Sequence, residues 1–305
     1  MKACSLAFLA LMASASAFAP SPINTQSCLF SSTALYERKA FITGNWKLNP
    51  GTREEALELA IGISTAITPE SPCDVALFVP FPFIESVQGI VDKKLTVGAE
   101  MVDSNINGAF TGGISTPMLD SMGVEWALAG HSERRIINKE DDDHINKQCL
   151  RIIDQGMSVM LCIGETEEEY EKDLVGSICE IQLKKGLAGI SSDDMSRVAI
   201  AYEPVWAIGT GKVATPETAQ QVHKICRGII TGMYGGEIGS KTRILYGGSV
   251  SDESVDGLMD QQDIDGCLVG GASLSAEKFA RIINFQRVGK RKKIKNFIKK
   301  ILKQG

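Results

Sequence analysis

Residues 198–214 read Val-Ala-Ile-Ala-Tyr-Glu-Pro-Val-Trp-Ala-Ile-Gly-Thr-Gly-Lys-Val-Ala. A run of small and β-branched residues delivers a carboxylate, Glu203, to a strand end. Pro204 stops the strand, because proline has no backbone donor for the ladder. The loop that follows is Pro204, Val205, Trp206, Ala207, Ile208, Gly209, Thr210, Gly211 and Lys212, an indole with two glycine hinges. A carboxylate beside such a loop has two readings. One is a catalytic base under a lid. The other is a surface Glu ahead of an ordinary loop, the default state of Glu. The rest of the chain decides between them.

Outward from that stretch, short apolar or β-branched runs begin near Phe41, Val75, Leu95, Trp126, Ser158, Val198, Ile244 and Cys267. Helical patterns lie between them and carry start signals. Thr52 with Glu55 three residues on is a capping box. Thr215-Pro216-Glu217-Thr218 combines a cap, a proline at the first helical position and an early acid. Strand and helix alternate without a composition break over residues 38–286, which implies parallel strands joined by helical crossovers. Eight such units in about 250 residues match an α/β fold of the (β/α)8 TIM barrel type. A doubly wound open sheet is the competing fold. It usually carries a G-x-G-x-x-G turn after its first strand, where this chain has Gly44-Asn45-Trp46-Lys47.

In a barrel the C-terminal strand ends build the site. The first strand ends in Asn45 and Lys47, two residues apart and aimed the same way if the chain is extended. An amide donor and a cation suit an anionic, carbonyl-bearing substrate; a helix-cap Asn and a snorkelling Lys look the same in isolation. The fourth strand leads into Gly130-His131-Ser132-Glu133-Arg134-Arg135. Of three histidines His131 alone follows a strand, which suits proton chemistry. His144 and His223 fall in helical patterns and are expected at the surface. The fifth strand gives Cys162-Ile163-Gly164-Glu165, where Cys162 has no His or base near it in sequence and is expected to be a packed thiol beside the site. The last two strands end in Tyr246-Gly247-Gly248-Ser249 and Val269-Gly270-Gly271-Ala272. Paired glycines expose backbone N–H groups, and two pairs at matching positions describe a phosphate cradle.

Together with Leu268-Val269-Gly270-Gly271-Ala272-Ser273-Leu274, these motifs resemble the triosephosphate isomerase family, in order, over about residues 39–286. The resemblance implies interconversion of glyceraldehyde 3-phosphate and dihydroxyacetone phosphate through an enediolate. Glu203 would be the base. Neutral His131, at a helix N-terminus, would polarise the carbonyl. Lys47 would supply positive charge and Asn45 would donate to substrate oxygens, with Glu133 beside Lys47 and His131. Gly209, Ser249, Gly270 and Gly271 would hold the phosphate, and the lid would exclude water. No metal and no organic cofactor would be needed. The family is normally a homodimer, and Thr111, in the loop Asn107–Gly113, would reach the partner's Asn45. Gly113 stands where the family usually has a Glu that pairs across the interface, here with Arg134. Glu100-Met101 replaces a usual Gln-Asn.

Charge is uneven along the chain. Residues 287–305 carry nine Lys or Arg and no acid, while residues 1–37 carry only Lys2 and Glu37, so the body 38–286 stands near −14. An acidic body argues against a nucleic-acid partner. The eight cysteines, Cys4, Cys28, Cys73, Cys149, Cys162, Cys179, Cys226 and Cys267, form no C-x-x-C pair and suit reduced core thiols.

The ends are outside the fold. Residues 1–17 place Lys2 ahead of an apolar run, Leu6 to Met12, and then Ala15-Ser16-Ala17, a signal peptide with its cleavage pattern. Residues 18–37 are Ser/Thr/Pro-rich and transit-peptide-like. The junction Ala-Ser-Ala-Phe-Ala-Pro resembles the bipartite presequences of algae with secondary plastids, which implies a plastid address; a secretory route is the alternative. In the tail 287–305, Ile294, Phe297, Ile298, Ile301 and Leu302 fall on one helical face among lysines. Such a segment suits an anionic membrane or a partner groove, or is a solvated appendage. Two other functions fit parts of the chain: a phosphate-binding barrel enzyme for a larger sugar, and an inactive barrel whose tail does the work. The short lid and the complete set of candidate residues weigh against each.

Overall fold

The computed structural model describes residues 38–208 and 214–287. The expected signal peptide 1–17 and transit-like segment 18–37, most of the tail and the lid residues Gly209, Thr210, Gly211 and Lys212 lie outside the described residues. Eight parallel strands pair in chain order into a closed barrel: β1 (Ala40–Asn45), β2 (Cys73–Val79), β3 (Leu95–Ala99), β4 (Trp126–Ala129), β5 (Ser158–Ile163), β6 (Val198–Tyr202), β7 (Arg243–Tyr246) and β8 (Gly266–Val269). Closure is between β1 and β8, in register from Phe41 opposite Gly266 to Gly44 opposite Val269. Each strand starts within two residues of its expected position.

Helices cover the outside of the barrel, and their start signals act as expected. Thr52 and Glu55 form a reciprocal capping box ahead of the helix Arg53–Thr65. Thr215 caps the helix Pro216–Tyr234, with proline in its first turn.

Period-two alternation along each strand produces two apolar layers. Val159, Leu161 and Ile163 of β5 face outward into the layer beneath the helices. Met160 and Cys162 of β5, Ala199 and Ala201 of β6, and Phe41, Phe78, Leu245 and Leu268 fill the barrel interior. The inward parity continues past the strand ends. Glu203 follows Ala199 and Ala201, and Asn45 follows Phe41 and Thr43.

A charge network closes the opposite, N-terminal mouth. Arg227 bonds Asp263 through Nε at 2.7 Å and Asp265 through Nη2 at 2.6 Å, and donates to the carbonyls of Gly239 and Thr242. Asp265 also accepts from Arg38, just before β1, and from the Ile244 backbone N–H. The seam where the last strands meet the first is thus pinned by buried charges that satisfy one another.

His223 departs from expectation: it is buried. On the helix Pro216–Tyr234 it belongs to the inner stripe Ala219, Val222, His223, Cys226 and Ile230. That three- and four-residue spacing turns it toward the barrel. Its ring meets Tyr202 edge-on at 5.8 Å, and Nδ1 lies 3.3 Å from the Asp263 carbonyl. Burial pushes its pKa down to about 3, so the ring is neutral at physiological pH. The six described cysteines are free and buried, as packed thiols should be.

Candidate active site

Glu203 sits just past β6 at the barrel mouth, with 2 % of its surface exposed. A carboxylate so buried needs donors. Its Oε2 accepts from the Ser132 backbone N–H at 2.9 Å, and its Oε1 lies 3.2 Å from His131 Nε2. Burial and the charge of Glu203 hold the Cys162 thiol well above its ordinary pKa, so it remains protonated and is no nucleophile. Two glycines make room for Glu203, Gly164 for its backbone and Gly247 for its side chain. A Cβ on Gly164 would lie 1.8 Å from the Glu203 carbonyl oxygen, and one on Gly247 would lie 2.8 Å from Glu203 Cγ.

His131 is the N-cap of the short helix Ser132–Ile136, and its Nδ1 accepts from the Glu133 N–H at 3.3 Å. The neutral ring therefore carries its proton on Nε2, the nitrogen that faces Glu203. Arg135 buttresses this turn by donating to the carbonyls of Gly130 and Cys162. Lys47 Nζ pairs with Glu133 Oε1 at 2.6 Å, and Glu133 Oε2 is 3.7 Å from His131 Nδ1.

Asn45 and Lys47 share the cavity, though by another geometry than an extended chain. Lys47 has a φ of 56°, in the left-handed region. Asn45 Oδ1 accepts the Lys47 N–H at 3.1 Å and closes a two-residue turn.

The cavity these groups surround has a volume of about 290 Å³. Asn45, Lys47, His131 and Glu203 form its polar wall. Gly247, Gly248, Ser249, Gly270 and Gly271 form another side, with Ile208, Val250 and Leu268 as apolar lining. The two glycine pairs serve different ends. Gly247 clears Glu203, and a Cβ on Gly248 would meet the Tyr246 hydroxyl at 2.2 Å. A Cβ on Gly271 would meet nothing within 4 Å, and the nearest atom to one on Gly270 is Lys47 Cε at 3.7 Å. The second pair thus stands in open space at the cavity wall.

The described part of the lid is anchored at its start. Val205–Ala207 forms one 3-10 turn. Trp206 Nε1 donates to Glu165 Oε1 at 2.7 Å, and Tyr202 donates its hydroxyl to the same oxygen at 3.0 Å. Burial raises the Glu165 pKa, while those two donors oppose the rise. Glu165, Ser132 and Val250 are functional neighbours that sequence reasoning missed. Ser132 stands inside the motif after β4 and Glu165 two residues past β5, but a backbone donor and a buried acceptor leave no mark in residue type.

A buried carboxylate beside a neutral imidazole, a lysine and an anion cradle can move a proton next to a carbonyl in a small anionic substrate. The class is a (β/α)8 barrel enzyme that performs acid–base chemistry on a small anion. The triosephosphate isomerase family model matches residues 40–286. The triosephosphate isomerase of Syntrophotalea carbinolica is 42% identical over 252 residues, covering 82% of this chain and 100% of that protein. That of Debaryomyces hansenii is 44% identical over 241 residues, covering 79% and 96%. The chain belongs to the triosephosphate isomerase family, and its activity is that of a triosephosphate isomerase.

Glu100, at the end of β3, touches this machinery from behind. Its Oε1 is buried without a partner. Burial, aided by the charge of Glu133, lifts its pKa to about 8. Between pH 4.5 and 8 the folded state therefore holds a proton that the unfolded state has released, and stability falls as pH rises through that window. His223 acts in the opposite sense between pH 3 and 6.5, where the unfolded state alone binds the proton. The two slopes offset from 4.5 to 6.5, which leaves the Glu100 fall visible from 6.5 to 8. Glu100→Gln is expected to remove that fall and to raise stability at pH 8 by on the order of a few kcal/mol. Urea midpoints of both proteins from pH 6 to 8.5 check this, and parallel profiles would refute it.

Proposed function

We propose that Glu203 removes a proton from the carbon next to the carbonyl of a triose phosphate and returns it to the neighbouring carbon. The support is one juxtaposition. A nearly inaccessible carboxylate lies 3.2 Å from the protonated nitrogen of His131, at the wall of a cavity that also holds Lys47 and an open glycine pair. Both Glu203 oxygens are engaged in this structure, so the carboxylate exchanges its Ser132 bond for the substrate carbon. His131 Nε2–H gives its proton to the carbonyl oxygen as that oxygen gains negative charge and takes the neighbouring hydroxyl's proton in return, so a proton passes between the two oxygens while Lys47 stabilises the enediolate electrostatically. Asn45 orients the substrate oxygens, and Glu133 holds Lys47 in place. The amides of Gly270 and Gly271, with Ser249, take the phosphate. Gly209 and the rest of the lid close over it and exclude water. Glu203→Asp withdraws the carboxylate by one methylene. It is expected to lower kcat by about 100-fold or more with the circular dichroism spectrum unchanged; unchanged turnover would remove Glu203 from this role.

The working unit we infer is a homodimer. Leu48 is 96 % exposed beside the site, and Phe110 and Met118 stand about half exposed. Apolar surface of this kind favours burial against another copy. Thr111 lies exposed in the loop that would insert beside the partner's Asn45. The cross-interface Glu is not simply missing: a Cβ on Gly113 would fall 2.4 Å from Asp103 Oδ2, so this loop has no room for it. Arg134 pairs instead with Glu140 of its own chain. Sedimentation velocity should give a dimer at micromolar concentration, and an active monomer would overturn the inference.

The proposed address is a plastid, through the signal peptide 1–17 and the transit-like segment 18–37, with carbon fixation as the pathway served. Residues 1–37 fused to a fluorescent reporter should direct it to plastids in an alga with secondary plastids. Secretion of the reporter would refute the address.

A further inference from the structure

We propose that the basic C-terminal segment, residues 288–305, docks on the outer face formed by helices Glu167–Glu171, Val175–Gly186 and Pro216–Tyr234 of its own chain. This face is acidic at its edge and apolar at its centre. Glu167, Glu168, Glu169, Glu171 and Asp173 stand against one lysine, Lys172, over seven positions. Tyr170, Leu174, Ile181 and Ile225 are each 39–48 % exposed. Leu174, half-buried Ile178 and Ile181 recur at three- and four-residue spacing along Val175–Gly186 and its N-cap. Ile225 of the neighbouring helix lies against Gly176, so the apolar surface continues across the two helices.

The segment complements that face in both respects. It carries eight Lys or Arg and no acid, and its apolar residues Ile294, Phe297, Ile298, Ile301 and Leu302 fall on one helical face. The chain also leaves the described fold within reach. The Gln286 N–H bonds Asp256 Oδ1 at 2.8 Å, which places the exit against the helix Val255–Met259. That helix packs on Pro216–Tyr234, which packs on Val175–Gly186. Packed helices stand about 8–10 Å apart, and eighteen residues span ~27 Å as a helix and about 60 Å extended. Another acidic stretch, Glu140–Asp143, lies farther round the barrel between β4 and β5. The proposed surface borders the lid, because the Tyr170 ring stacks on Trp206 with centroids 4.4 Å apart.

Carbodiimide cross-linking of a mixture of isotopically light and heavy full chains tests the docking, with amide hydrogen exchange as the second readout. The expected result is links from Lys290–Lys303 to Glu167–Asp173 within single copies. Exchange of residues 167–185 should be several-fold slower than in a chain ending at Arg287. Both signals should fade at high salt and in Ile181→Lys/Ile225→Lys, whose exposed positions leave the fold intact by circular dichroism. Equal exchange with and without the segment would overturn the proposal. So would links joining light to heavy copies, or protection that requires anionic phosphatidylserine vesicles.

Discussion

Everything at the site depends on the inward parity of strands in a closed parallel barrel. Side chains alternate in and out with period two, and closure leaves one interior for all the inward ones. Ala199 and Ala201 fill that interior, so the next residue of the same parity, Glu203, emerges at its mouth. Phe41 and Thr43 do the same for Asn45. Since all eight strands run one way, the mouth that receives Glu203 also receives the ends of β1, β4, β7 and β8. The other mouth is left to the Arg38, Arg227, Asp263 and Asp265 network, where charge serves closure.

The carboxylate then sets demands of its own. Almost without solvent, Glu203 is supported by a backbone N–H and an imidazole N–H. Donors such as these keep a buried carboxylate tolerable and aim it. The turn after β4 supplies both, because His131 caps a helix whose first N–H is that of Ser132. Gly164 and Gly247 are needed for the same reason: any side chain at either would occupy the volume of Glu203 itself. Both glycine pairs line the cavity, and Gly270-Gly271 is the pair with open space around it.

Strands and caps were legible because their causes are local. Thr52 and Glu55 satisfy each other's backbone donors within one turn, and β-branched runs announce strands. Asn45, Lys47, His131 and Glu203 were legible as polar residues at strand ends. His223 was misplaced although its position on a three-and-four stripe was visible, since a histidine's polarity outweighed its neighbours' pattern. Lys47 was aligned with Asn45 for the wrong geometric reason, because a left-handed φ on a lysine has no signature in residue type.

What the chain order alone settled is the alternation of eight strands with helices and the kinds of group at each strand end, since these follow from periodicity and residue chemistry. The tertiary structure decided distances and burial: that Glu203 meets His131 across two strands, that one glycine pair clears a carboxylate while the other stays open, and that Glu100 keeps its proton. Those outcomes depend on atoms from β1, β3, β4, β5 and β7 converging within a few ångströms. Separation along the chain carries no record of that convergence until the barrel closes.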